Sequence, residues 1–232
     1  CAGADMSLLS DVRDTDEAGR ETDEEPGNFP LVGGLNLSPD FSRRYSYFPK
    51  VPKPIIAAIN GPCAGLGLIM AMYCDIRFAS DSAKFTTAFA RRGLIAEHGI
   101  SWMLPKIVGF SAALELLLSS RKFLASEAFE LGFVSAIFPE DAFLTKVYDY
   151  AADLANNVSP RSIRVMKEQL FNAQFESLDE AINKANYEML ASFKTEDFAE
   201  GVSHFIEKRS AKFTVTRARR GLAAVSQKTR LR

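Results

Sequence analysis

The sequence predicts an α/β fold whose core is followed by helices, and three observations carry that expectation. The first is a short apolar run at 54–59, rich in isoleucine, which turns at Asn60-Gly61-Pro62 into an apolar stretch from Leu66 to Tyr73. The second is a pair of alternating segments, 76–79 and 83–87, with a third at 134–138, all of strand length. The third is the change of period after Asp141, beyond which apolar residues recur only at helical spacing.

The whole chain has 232 residues, enough for one large core or a core with a smaller domain. Its 47% hydrophobic and 25% charged content is that of an ordinary soluble protein. A formal charge of −1 gives no overall pull towards nucleic acid or a membrane surface. Neither partner is expected. Cys1, Cys63 and Cys74 are too few for a disulfide framework or a zinc site, and Cys63 and Cys74 stand in apolar surroundings. No metal is expected, and a reducing cytoplasm is the expected compartment. No run has the length of a membrane span, and no signal peptide is visible.

Taken in order, CAGAD at 1–5 opens in small residues, which suit a backbone held close to another segment. Residues 11–25 hold eight acids against Arg13 and Arg20, the pattern of a solvated acidic loop. The Gly- and Pro-containing stretch 26–39 also reads as loop, and Asp40 reads as the cap of a short helix to Tyr47. Pro54–Ile59 is a buried strand, and Leu66–Tyr73 is a helix apolar on nearly every face. The tight turn between them leaves unpaired N–H groups at the positive end of a helix, a place suited to an oxyanion. Residues 91–99 form a loop, followed by helices ending near Pro105–Gly109 and spanning 111–119 and 126–131. Leu144, Val147, Tyr148, Ala151, Leu154 and Ala155 mark one later helix. Leu178, Ala181, Ile182, Ala185, Met189 and Phe193 mark another, with Ser177 and Glu180 as its capping box. The basic residues of 214–232, with no acid among them, read as a disordered tail. The expected organisation is a core at 1–140, largely loop over 7–48, a helical domain at 141–213, and the tail.

Seven segments together resemble the crotonase (enoyl-CoA hydratase/isomerase) superfamily. They are CAGAD (1–5), AAINGPCAGLG (57–67), CD (74–75), RGLI (92–95), LPKIVG (104–109), AFELGFV (128–134) and FIEKR (205–209), and they keep the family's order. The resemblance implies a spiral of β-β-α turns with a C-terminal helical oligomerisation domain, in a homotrimer or a dimer of trimers. It also implies strands ahead of CAGAD, so the sequence reads as lacking its N-terminal strands. The implied substrate is an acyl-CoA thioester, with no separate cofactor because coenzyme A is part of that substrate.

What the family implies for the site is specific. Two backbone N–H donors polarise the thioester carbonyl, and removing one such donor typically costs about 3 kcal/mol of transition-state stabilisation. By position these are the N–H groups of Ala4 and Leu66, Leu66 standing where the family usually has glycine. Enoyl-CoA hydratases place two glutamates where this sequence has Ile69 and Phe89, neither of which moves a proton. Glu97 instead falls where enoyl-CoA isomerases carry a single catalytic glutamate and dienoyl-CoA isomerases an aspartate. One carboxylate suffices for a 1,3 proton shift, and an apolar surround would raise its pKa towards working pH. The residue taken alone reads rather as a solvated loop carboxylate, and only the resemblance turns the reading to a base. By the same resemblance the substrate meets Ala2, Asp5, Met6, Cys63 and Gly65, with Ile69 and Phe89 as apolar wall. Phe205 and Lys208 stand where relatives approach the nucleotide, and an exposed helix-end lysine is the other reading. His98 reads as a packed or surface histidine, with tuning or orienting of Glu97 as the other reading. Arg91 and Arg92 suit a phosphate or a neighbouring subunit alike.

The functional expectation is therefore acyl-CoA chemistry, with enoyl-CoA isomerisation ahead of hydration, thioester hydrolysis, decarboxylation and dehalogenation. A CoA-binding or assembly module without turnover is the alternative from another class.

Overall fold

The computed structural model describes residues 1, 3 and 34–213. The expectations for Ala2, Ala4, Asp5, Met6, the acidic stretch 11–25 and the tail 214–232 fall outside the described residues.

Two small sheets carry the core, and the chain passes back and forth between them. Strand β1 (Ile56–Ile59) pairs in parallel with β3 (Ile76–Ser80), which pairs in parallel with β6 (Ala136–Phe138). Ile56 faces Ile76, and Phe78 faces Ala136. The second sheet is built from β2 (Cys63–Ala64), β4 (Lys84–Thr86) and β5 (Phe123–Leu124), parallel between the first two and antiparallel between the last two. Parallel neighbours cannot be joined by a hairpin, so each return to a sheet needs a crossover. Here it is made by a strand of the other sheet plus a helix, which produces successive β-β-α turns.

Helix α1 (Leu66–Tyr73) fills the first crossover. Gly67, Leu68, Ile69, Ala71, Met72 and Tyr73 are all buried, which is why the helix is apolar around its circumference. Each large apolar side chain buried there contributes roughly 1.5–3 kcal/mol. Around it pack α2 (Ile100–Val108), α3 (Phe110–Ser119) and α4 (Ala125–Glu130) through Ile100, Leu104, Leu116 and Ala128. Phe85 of β4 stacks on Phe123 at 5.3 Å and meets Phe133 edge-on at 5.8 Å, tying the second sheet into the same core.

After β6 the described chain is helical. Helix α5 (Phe143–Asn157) buries Phe143 and Val147 against Phe78 of the first sheet. Helix α6 (Pro160–Asn172), capped by the Ser159 hydroxyl, buries Lys167 and sets Phe171 against Phe41 at 5.3 Å. Helix α7 (Leu178–Ser192) has the expected Ser177–Glu180 capping box, and α8 (Glu196–Glu207) is capped by Thr195. Neither α7 nor α8 buries a residue fully in this chain, and Leu178, Tyr187 and Phe205 lie exposed.

One local expectation fails. Asp40 does not cap a helix to Tyr47. The capping residue is Ser38, whose hydroxyl accepts from the Asp40 N–H ahead of a 3-10 turn at Pro39–Ser42. A proline at the first helical position needs no N–H partner and favours a cap just before it. The turn ends at Arg43, whose backbone is extended at φ −95° and ψ 169°, and Tyr45 beyond it takes a left-handed φ of 67°. Among the described residues no helix is long and apolar enough to cross a membrane.

Candidate active site

The site begins at the turn between β2 and α1. Gly65 enters the helix with φ +50° and donates its N–H to the Thr86 carbonyl at 3.2 Å. The Leu66 N–H follows it as the first of the helix. Among the described residues no hydrogen-bond acceptor is found for it, as the geometry of a helix start requires. The dipole of α1 adds partial positive charge at the same place.

Residues 1 and 3 run alongside this turn. The Cys1 carbonyl accepts from the Ala64 N–H at 3.0 Å, and its amino group donates to the Pro62 carbonyl at 3.0 Å. A Cβ on Gly67 would lie 2.2 Å from the Cys1 carbonyl oxygen, so only glycine lets the two backbones come this close. A Cβ on Gly3 would lie 3.3 Å from the Ala64 carbonyl oxygen. Gly3 and Gly67 are thus explained together, each clearing room for the backbone of the other segment. Ala4, the residue expected to give the second donor, follows Gly3 directly but falls outside the described residues.

Glu97 lies on the loop between β4 and α2, flanked by Gly93 and Gly99 at φ +72° and +74°. Its carbonyl accepts from the Ile100 N–H at 3.1 Å, closing a turn at the start of α2. Its side chain keeps 29% of its surface exposed, so the carboxylate is less enclosed than the sequence reading expected. His98 Nε2 stands 3.8 Å from Glu97 Oε2, and the His98 ring meets Tyr45 edge-on at 4.9 Å. His98 is therefore partly packed and also stands beside the Glu97 carboxylate.

The turn is held from the far end of α1. The Tyr73 hydroxyl donates to the His98 carbonyl at 2.8 Å. Helix α1 therefore has, at its first residue, an N–H with no acceptor among the described residues, and it grips the Glu97 loop at its last, roughly 10 Å along the axis. The sequence reading had no signal for Tyr73, because a tyrosine at the end of an apolar helix reads as packing.

Ile69 and Phe89 lie in the same buried cluster as Cys63, with Ile69 wholly covered and Phe89 at 5% exposure. Both positions are thus apolar and without acid/base capacity. Burial pushes the Cys63 thiol up to about 11, so it is neutral and poorly nucleophilic at neutral pH. Phe205 is exposed near the end of α8. Lys208 caps that helix in a left-handed conformation, with no side-chain hydrogen bond or ion pair among the described residues. Arg91 and Arg92 donate to the Ser119 and Ala88 carbonyls, so each has a partner within the chain.

A second buried polar element lies at the other end of α1. Asp75 accepts from the Ile55 N–H and from Lys167 Nζ, each at 2.7 Å. Lys167 also donates to the Lys53 carbonyl at 3.2 Å. This pair ties α6 to the entrances of β1 and β3.

Comparison with known proteins agrees with this architecture. The Enoyl-CoA hydratase/isomerase family model matches residues 36–216. A 1,2-epoxyphenylacetyl-CoA isomerase from Escherichia coli is 32% identical over 215 residues, covering 92% of this chain and 76% of that protein. The mitochondrial Δ(3,5)-Δ(2,4)-dienoyl-CoA isomerase of Mus musculus is 33% identical over 179 residues, covering 76% of this chain and 54% of that one. An enoyl-CoA hydratase from Alternaria alternata is 32% identical over 165 residues, covering 71% of this chain and 55% of that one. This chain thus spans about half the length of the last two relatives. In a crystal structure of a probable enoyl-CoA hydratase/isomerase from Mycobacterium abscessus, the fold matches with a TM-score of 0.77 at 26% identity, over 92% of this chain and 76% of that one. With the β-β-α turns, the glycine-lined start of α1 and a match over most of the sequence, this chain belongs to the enoyl-CoA hydratase/isomerase family, with the crotonase fold.

Proposed function

We propose that the protein isomerises an enoyl-CoA, moving a double bond from C3–C4 to C2–C3 of the acyl chain with Glu97 as the only base. The Glu97 carboxylate takes a proton from C2. The electron pair of that C–H bond forms the enolate, and the charge comes to rest on the thioester oxygen. Backbone N–H groups hold that charge, from Leu66 and, by family position, from Ala4. As the enolate collapses, the C3–C4 π electrons take the proton at C4 from the Glu97 acid, and C2=C3 forms. Atoms balance with no water consumed.

The observation that carries this reading is the combination of one carboxylate on the 93–99 loop with apolar residues at Ile69 and Phe89. Two-acid hydration needs a second proton carrier that these positions do not supply. Coenzyme A would be met by Phe205 and Lys208, where an exposed aromatic ring and an ammonium suit an adenine and a phosphate.

Hydration is the second reading, favoured by the exposed part of the Glu97 side chain, which leaves water access to the carboxylate. One experiment addresses both. In the full-length protein, Glu97→Gln is expected to lower turnover of a 3-enoyl-CoA by at least about a hundredfold, with CoA affinity nearly unchanged. Retention of the isomerase rate in that variant would overturn the reading, and rapid hydration of a 2-enoyl-CoA by the unaltered protein would favour its rival.

A further inference from the structure

We infer that Tyr73 is a positioning residue for Glu97, setting the base through the His98 carbonyl; the inference rests on the reading of Glu97 as base.

Three features of the loop and its contact with Tyr73 point to this role. The Tyr73 hydroxyl donates to the His98 carbonyl at 2.8 Å, in the second peptide unit after Glu97. His98 itself takes φ +52°, a left-handed conformation that a residue with a Cβ adopts at a cost and keeps only when its surroundings demand it. Gly99 follows at φ +74°, and a Cβ there would lie 2.6 Å from the Tyr73 hydroxyl oxygen. The hydroxyl therefore occupies the space that a side chain at 99 would need. Consecutive left-handed residues turn the chain sharply between Glu97 and α2; Tyr73 reaches the backbone of that turn from outside the loop, while Tyr45 packs on the His98 ring.

Chemistry explains why a tyrosine is used. Tyr73 is 5% exposed and its ring belongs to the main core cluster, so the hydroxyl is delivered from a rigid base. Burial raises its pKa, and the phenol stays protonated as a donor through the neutral range. A proton shuttle between C2 and C4 requires one carboxylate to reach two carbons, so small changes in loop orientation are felt in the rate.

A merely structural role predicts lower stability without a link to Glu97, and a double-mutant cycle separates the two. In the full-length protein assayed with a short-chain 3-enoyl-CoA, Tyr73→Phe keeps the ring and is expected to lower kcat about tenfold, with KM changed less than about twofold. In the Glu97→Gln background the same substitution is expected to change the residual rate by less than about twofold, because no base remains to be positioned. An equal loss in both backgrounds, an effect on KM alone, or no effect in the unaltered background would overturn the inference and leave the Glu97 reading standing. If Glu97→Gln itself keeps the full rate, the reading of the base fails and this inference with it. Gly99→Ala approaches the same contact from the loop side. It is expected to lower kcat with Glu97 present and to have no further effect with Gln at 97, and equal losses in both would count against the inference independently of how Tyr73→Phe folds.

Discussion

Lys167 Nζ lies 2.7 Å from the Asp75 carboxylate, across 92 residues of sequence, with both side chains largely withdrawn from water. Burial pushes the Asp75 carboxyl above its ordinary value against the pull of Lys167 and the Ile55 N–H, and pushes the Lys167 ammonium down. Desolvation therefore outweighs attraction on both partners, which is the usual balance for a buried pair. Such a pair contributes little net stability, yet leaving either charge alone is costly. Lys167→Met is expected to destabilise the protein by about 3 kcal/mol in denaturant unfolding. Adding Asp75→Asn should restore most of that loss, since Asn still accepts from the Ile55 N–H. A single-variant loss below about 0.5 kcal/mol, the scale of an exposed pair, would contradict the role assigned to this contact.

The contact between Gly67 and Cys1 gives a second prediction. Gly67→Ala must push the first residues off α1, because its Cβ would stand 2.2 Å from the Cys1 carbonyl oxygen. Gly61, in the turn just before, has nothing within 4 Å of an added Cβ. Gly67→Ala is expected to cut turnover at least about tenfold by misplacing an oxyanion donor, whereas Gly61→Ala leaves it within about twofold. Equal behaviour of the two variants would separate the 1–3 segment from the site.

The buried thiols make a prediction about pH. Burial raises both Cys63 and Cys74 from an ordinary value of 9.0 to about 11 in the folded chain. An acid whose folded pKa is raised stabilises the fold below its unfolded pKa and loses that contribution as pH climbs to the folded value. In this window the unfolded chain has already released the proton that the folded chain still holds. Stability is thus expected to fall between pH 9 and pH 11. The fall should be shallower in Cys63→Ala/Cys74→Ala, measured by urea midpoints across that range. The same slope with and without the thiols would contradict it.

Much of the fold is legible in the sequence where local chemistry agrees with burial. The bounds of α1 follow from an unbroken apolar stretch between a glycine turn and Cys74, and the start of α7 follows from Ser177 and Glu180. Helix α6 was not legible, because the side chain it buries is Lys167, the residue type least expected to mark an inward face. Strands β2 and β5, two residues each, are too short to show alternation. Within the site, Glu97 stands out only through resemblance to the family, since a carboxylate between two glycines has no local signature. Tyr73 and the Asp75–Lys167 pair depend on contacts between distant segments, which no periodicity reveals.

Transfer of one hydrogen from C2 to C4 by one carboxylate, as proposed for Glu97, is read out by giving the full-length protein a 3-enoyl-CoA deuterated at C2, in ordinary water, and locating the label in the product by NMR and mass spectrometry. The expected product is a 2-enoyl-CoA that keeps part of its transferred deuterium at C4, formed at least about a hundredfold more slowly by Glu97→Gln. A product that has gained the mass of water, or an unlabelled C4 formed at the same rate by both proteins, would contradict it.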